Sequence, residues 1–196
     1  MRINFWSGAG AGKSTLASYV FSRLKQKNYK VELVHEYIKK WAYEGKKPKS
    51  FDQVYIFGKQ LNAEDSLFQS NVEHLVTDSP LLMQVFYARH NEFPCWPQLV
   101  EIAKSFETAH PSINIFLDRE GLEYQEAGRY ENESQAKEID REMQDYMDQY
   151  VGEYKVLHSK DLDGIVEYID GVLSGRDQQP STPPSMFIRV MRRFFA

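Results

Sequence analysis

Lys13 and Ser14 are the two residues whose types and spacing point most directly to chemistry. They close the run Ser7-Gly8-Ala9-Gly10-Ala11-Gly12-Lys13-Ser14-Thr15. Small residues let backbone N–H groups turn inward and cradle phosphate oxygens. A helix start directly after the run adds its dipole and its unpaired donors. In such a loop the lysine reaches β- and γ-phosphates, and the hydroxyl of the next residue sits on Mg²⁺. All nine residues, Ser7 to Thr15, are therefore candidates to bind a nucleoside triphosphate. The usual spacing is G-x-x-x-x-G-K-[ST]. Its first position here is Ser7, and Gly8 and Gly10 are expected to supply the flexibility instead.

Two acidic residues extend this chemistry. Asp78 follows the apolar stretch His74-Leu75-Val76-Thr77. An acid at the end of a buried strand, downstream of a phosphate loop, has the Walker-B arrangement and helps to hold Mg²⁺. Glu36 follows Val31-Glu32-Leu33-Val34 in the same way. Open α/β sheets place ligands at the carboxyl ends of their strands. Glu36 is then a candidate base or metal partner, or a glutamate favoured by a helix dipole.

These residues need strands and helices to position them, and the pattern alternates accordingly. Arg2 to Trp6 reads as a first strand, and Leu16, Val20 and Leu24 mark one face of a helix ending near Asn28. Tyr37 and Trp41 stand four apart on a short helix, either as core or as stacking rings. Ser50-Phe51-Asp52-Gln53 has capping-box spacing. It precedes a long helix with the stripe Val54, Phe57, Leu61 and Phe68. Further helices are expected over 81–90 and from Gln98 to Ala109, with a loop over 91–97 between them. Ile113 to Leu117 and Lys155 to Leu157 complete the strands. Helices carrying Ile139 to Tyr150 and Ile165 to Leu173 pack around the last strand. The fold class is α/β: a doubly wound sheet of about five parallel strands.

Composition sets limits. With 196 residues and 42% of them hydrophobic, the chain can bury a sizeable core. A net charge of −4 argues against a generally basic nucleic-acid coat. Lys39, Lys40, Lys46, Lys47 and Lys49 still form a local basic cluster, either a solvated face or a contact for phosphate or a DNA backbone. The single cysteine, Cys95, excludes an internal disulfide framework and fits a reducing compartment, so the expected location is cytoplasmic. No apolar run approaches the ~20 residues of a membrane span, and no signal peptide is expected. Composition shifts after residue 173. A Pro/Ser-rich linker leads to a basic aromatic tail over 186–196, which could dock on the core, another subunit, nucleic acid or a membrane surface.

The loop at 7–15, Val34-His35-Glu36-Tyr37, and the path from the Gln53 helix to Thr77-Asp78-Ser79 resemble the ribosylnicotinamide kinase-like family over residues 1–173. The resemblance implies a P-loop kinase domain using ATP and Mg²⁺. It implies phosphorylation of a hydroxyl on a nucleoside-type acceptor, with Glu36 near that acceptor and Asp78 at the Walker-B position. The stretch 119–133 then corresponds to a lid, with Arg119 and Arg129 as candidates to neutralise the migrating phosphoryl group. Related viral enzymes phosphorylate 5-hydroxymethyluracil within DNA. That is an alternative acceptor here, through the lysines at 39–49 or the tail, and the location would then be a host cytoplasm. A nucleotide-binding regulatory module is a third reading, although the chain has no Asn-Lys-x-Asp segment for guanine. An oligomer is compatible with all three.

Overall fold

In the computed structural model the described residues are 1–49, 51–124 and 131–176. Among the described residues five strands and seven helices follow one another in the order β1 (Arg2–Trp6), α1 (Lys13–Gln26), β2 (Val31–Val34), α2 (Lys39–Tyr43), α3 (Asp52–Gln69), β3 (His74–Thr77), α4 (Leu81–His90), α5 (Trp96–Ala109), β4 (Ser112–Asp118), α6 (Glu133–Tyr150), β5 (Lys155–His158) and α7 (Leu162–Leu173). The strands form one parallel sheet in the order β2-β3-β1-β4-β5. This is the expected α/β class with five strands.

Side chains alternate across a strand, and β1 divides the core accordingly. Ile3 and Phe5 join Leu16, Val20, Ile115, Leu117, Ile165 and Ile169 on the side of α1 and α7. Trp6 joins Phe57, Phe86, Phe116, Met143 and Tyr146 on the other side, under α3 to α6. Arg2 and Asn4 alternate with Ile3 and Phe5 and are fully buried. A polar group in such a place requires partners. Arg2 finds Glu64 of α3 at 3.3 Å, Glu107 of α5, and the His110 carbonyl at 2.9 Å. Asn4 and the Trp6 indole both donate to Asn114 Oδ1, at 3.0 and 2.9 Å.

Several local expectations change. Tyr37 precedes α2, and its ring meets Tyr55 of α3 edge-on while Trp41 stacks on the same ring. The buried face of α3 is Gln53, Ile56, Phe57, Gln60 and Glu64, whereas Val54 is exposed. The apolar stripe misplaced this face because polar side chains there are buried against partners on β1 and β3. The N-cap of α3 is Phe51, without a side-chain hydrogen bond, and the capping-box expectation rests on Ser50. Ser50 lies outside the described residues. α5 starts at Trp96 and includes Pro97, which a first helical turn tolerates because the missing N–H has no helical acceptor there. A capping box does open α6: Asn132 accepts from the Gln135 amide at 3.0 Å, and the Gln135 side chain accepts from the Asn132 amide at 2.9 Å. Among the described residues no helix is long and apolar enough to cross a membrane. The tail over 186–196 falls outside them.

Candidate active site

The loop after β1 turns where its glycines permit. Gly10 (φ 90°) and Gly12 (φ 84°) take left-handed conformations, and Gly12 is the N-cap of α1. Position 7 makes no such demand, which is why a serine fits there. Ser7 is fully buried, and its Oγ has no hydrogen-bond partner among the described residues. Gly8 is required for another reason. A Cβ on it would stand 2.8 Å from the Ala136 carbonyl oxygen of α6, closer than real Cβ contacts come. The flexibility expected at Gly8 and Gly10 is thus a left-handed turn at Gly10 and a close helix approach at Gly8.

Lys13 folds back over this loop. Its Nζ donates to the carbonyls of Ser7 (2.7 Å) and Gly8 (2.8 Å). Burial holds its pKa below the ordinary lysine value, opposed by the nearby carboxylates of Glu36, Asp78 and Asp140. Beside it the Ser14 hydroxyl donates to Asp78 Oδ2. The other oxygen of Asp78 accepts the Glu36 amide at 2.9 Å. One buried carboxylate thereby ties the end of β3 to the start of α1 and to the residues following β2.

Glu36 shares this pocket. Desolvation is the main cause that pushes its carboxyl up to about 7, against the pull of Lys13; Asp78 adds to the rise and Lys39 opposes it. A group poised near neutrality is what proton transfer at physiological pH requires.

Arg119, just past β4, reaches the same loop. Its Nη1 donates to the Ala9 carbonyl at 2.6 Å, and its Nε and Nη2 lie 2.5 and 3.0 Å from the two oxygens of Asp140 on α6. Arg129 lies outside the described residues. A cleft of about 400 Å³ opens beside Gly10, lined by Asp118, Gly121, Leu122, Tyr124 and Lys137 among others.

The lysine cluster is dispersed. Lys39 Nζ donates to Ser14 Oγ at 3.0 Å, which puts it inside the site. Lys40 and Lys46 both pair with Glu44, at 3.8 and 2.6 Å. Lys47 and Lys49 are exposed.

Two further residues, Asp140 and Tyr87, stand at the site without a signal of their own in the sequence, and Lys39, named with the basic cluster as a phosphate contact, joins them. Asp140 reads as one acid on a charged amphipathic helix. Tyr87 reads as one aromatic in an apolar helix; burial and the carboxylates of Glu131, Glu36 and Asp140 push its phenol well above the usual value. Lys39 reads as part of a charge run. Only the approach of separate elements gathers them.

Among the described residues no cluster of three or more His, Cys, Asp or Glu could cage a metal. The oxygen pair Ser14 and Asp78 nevertheless suits Mg²⁺, which takes one or two protein oxygens and completes its shell with water and phosphate.

Known proteins set this geometry in context. No curated protein matches the sequence. Among solved structures, the chain is similar to deoxyadenosine kinase from M. mycoides with bound dATP. The TM-score is 0.53 and the identity 17%, covering 89% of this chain and 100% of that one. At that identity the likeness concerns the fold. A family model described as an AAA domain matches residues 2–163. That span runs from β1 through the glycine-rich loop, Asp78 and α6, and the chain belongs to the AAA domain family.

Proposed function

We propose that this chain is an ATP-dependent kinase that transfers the γ-phosphate to a hydroxyl of a nucleoside-type acceptor. The observation that carries this reading is the convergence of Ser14, Asp78 and Glu36 beside Lys13. A buried carboxylate joins the loop that would hold a triphosphate to a second acid whose carboxyl is pushed up to about 7. The fold shared with a deoxyadenosine kinase and the ribosylnicotinamide kinase-like pattern of Glu36-Tyr37 and Asp78 support it.

In this reading the loop from Ser7 to Thr15 wraps the β- and γ-phosphates, and its amides other than that of Gly8 bind them together with Lys13. Lys13 then exchanges the carbonyls of Ser7 and Gly8 for phosphate oxygens. Ser14 and Asp78 would hold Mg²⁺, which neutralises charge on the phosphates when bound. Glu36 accepts the proton of the acceptor hydroxyl as its oxygen bonds to the γ-phosphorus. The bond from that phosphorus to the β–γ bridging oxygen breaks, and ADP leaves. Arg129 is the candidate to offset charge on the migrating group, while Arg119 is engaged with Asp140 and the Ala9 carbonyl. The cleft beside Gly10 offers room for the nucleoside end of the donor. A supply of ATP suits a cytoplasmic setting.

The test is transfer of labelled γ-phosphate to a panel of nucleosides, nucleotides and modified DNA. Lys13→Ala should abolish transfer and leave the circular dichroism spectrum unchanged. Wild-type turnover by the folded variant would overturn the assignment.

A second acceptor is favoured by one feature. Tyr37, Trp41 and Tyr55 pack on one another at the start of α2 and α3, Lys59 lies 5.4 Å over the Tyr55 ring, and Lys47 and Lys49 stand exposed nearby in sequence. Rings beside cations suit a nucleic-acid strand. A hydroxymethylated base in DNA, such as 5-hydroxymethyluracil, would be the substrate, flipped out of the duplex to reach Glu36. Transfer to such DNA should fall about tenfold or more between roughly 50 and 200 mM salt through counterion release. A free nucleoside should show little of that loss. Equal salt responses, or no transfer to the DNA, would remove this acceptor.

A further inference from the structure

We propose that Asp140 is a positioning residue for the phosphate loop: it fixes the first turn of the loop through the Gly8 amide and aims Arg119 at the Ala9 carbonyl. The proposal rests on the reading of residues 7–15 as the ATP site.

Both oxygens of Asp140 are engaged. Oδ1 accepts the Gly8 N–H at 2.5 Å and Arg119 Nη2 at 3.0 Å, while Oδ2 lies 2.5 Å from Arg119 Nε. The remaining arm of Arg119 reaches the Ala9 carbonyl at 2.6 Å. The Nε approach is an ion-pair contact and not a hydrogen bond, and with the Arg119 and Asp140 side chains only 10% and 13% exposed the pair is sheltered from water. One helical turn earlier on the same face, the Ala136 carbonyl presses against Gly8 so closely that no Cβ fits. α6 therefore holds the loop at two adjacent points.

This arrangement has a chemical purpose in an anion site. A phosphate loop works by presenting N–H groups to the ligand and turning carbonyls away. The Ala9 carbonyl is held by Arg119, and the Gly8 N–H is committed to Asp140 rather than to phosphate. A lone carboxylate so close to a triphosphate would repel it. The guanidinium cancels that charge while the carboxylate keeps its grip on the backbone. Truncating Asp140 removes both effects. The Gly8 N–H loses its acceptor, and Arg119 loses the partner that orients it.

The experiment is equilibrium binding of ATP to the full chain, at a temperature where each variant is shown to be folded. Asp140→Ala should weaken ATP binding roughly tenfold or more, the scale of a lost hydrogen bond to a charged group. Asp140→Asn keeps an oxygen for Gly8 but gives up the ion pair, and should recover part of that loss. Asp140→Ala combined with Arg119→Ala should be clearly less than multiplicative, because the two residues act as one unit. A merely structural pair would lower the thermal midpoint while the folded variants bind ATP like the wild type. ATP affinity of folded Asp140→Ala within about twofold of wild type overturns the proposal. If Asp140→Ala does not fold, wild-type affinity in Asp140→Asn together with multiplicative effects of Asp140→Asn and Arg119→Ala overturns it as well. Wild-type protein that binds no ATP defeats the donor-site reading itself, and the positioning role falls with it.

Discussion

At the scale of single residues, Glu36 meets two opposing demands. Its carboxyl is pushed up to about 7 from an ordinary 4.5, chiefly by burial. Between those values the folded chain holds a proton there that the unfolded chain has released. Stability contributed by the neutral acid is therefore present below the ordinary value and lost as pH rises through about 7. Glu36→Gln should stabilise the protein at about pH 8, by an amount on the order of 1–3 kcal/mol, and much less at about pH 5. Urea unfolding at the two pH values measures this, and equal gains at both would contradict it. The same substitution should lower phosphoryl transfer by roughly 100-fold or more. In the wild type the rate should rise with pH through about 7, as the carboxylate forms. Lys13, Ser14, Asp78 and Glu36 were legible in the sequence because each stands at a fixed offset from a strand end, where type and spacing are informative. Asp140 and Tyr87 stand at no such offset. Their positions follow from how closely α6 comes to the loop and how α4 packs near Glu36 and Asp140, which periodicity does not encode.

At the scale of elements, α3 shows why a hydrophobic stripe can mislead. Its buried face carries Gln60 and Glu64, both almost without solvent contact. Gln60 donates to Glu64 Oε1 at 3.1 Å and to Thr77 Oγ1 at 3.2 Å, and the same Thr77 oxygen accepts the Ser79 amide at 3.1 Å. Arg2 closes the chain of contacts from β1. These bonds brace the end of β3, from which Asp78 projects. Burial pushes the Glu64 carboxyl up while Arg2 pulls it down. Arg2→Met removes the pull and leaves the acid buried without its cation. We expect a loss of about 3–5 kcal/mol in urea unfolding. Replacing both partners, Arg2→Met with Glu64→Leu, should recover much of it, because the desolvated acid is then gone as well. A single-variant loss below about 1 kcal/mol would refute this account. No short-range signal marks such a face: Arg2 lies 62 positions from Glu64, and only the sheet brings them together.

At the scale of the whole molecule, the alternation of strands and helices was readable, and with it the α/β class. The order β2-β3-β1-β4-β5 was not, since a sequence of crossovers does not state which strand ends in the middle. That order gathers the site. β1 lies at the centre, so the loop after it sits beside Asp78 at the end of neighbouring β3, while Glu36 follows β2 one strand further out. On the other side β4 ends at Asp118 and delivers Arg119 to the loop. The carboxyl ends of four parallel strands thus face one crevice, where open α/β sheets bind ligands. Helices on both faces bury the sheet.

The central place of β1 also bears on the order of events during synthesis. Its two partners are β3 at His74–Thr77 and β4 at Ser112–Asp118, and the grip of Asp140 comes later still. At roughly 5–20 residues per second, a ribosome takes on the order of ten seconds to travel from Gly8 to Asp140. Throughout that interval the glycine-rich segment has left the peptidyl centre without the helix that shapes it. The glycine-rich loop is made well before the helix that completes it.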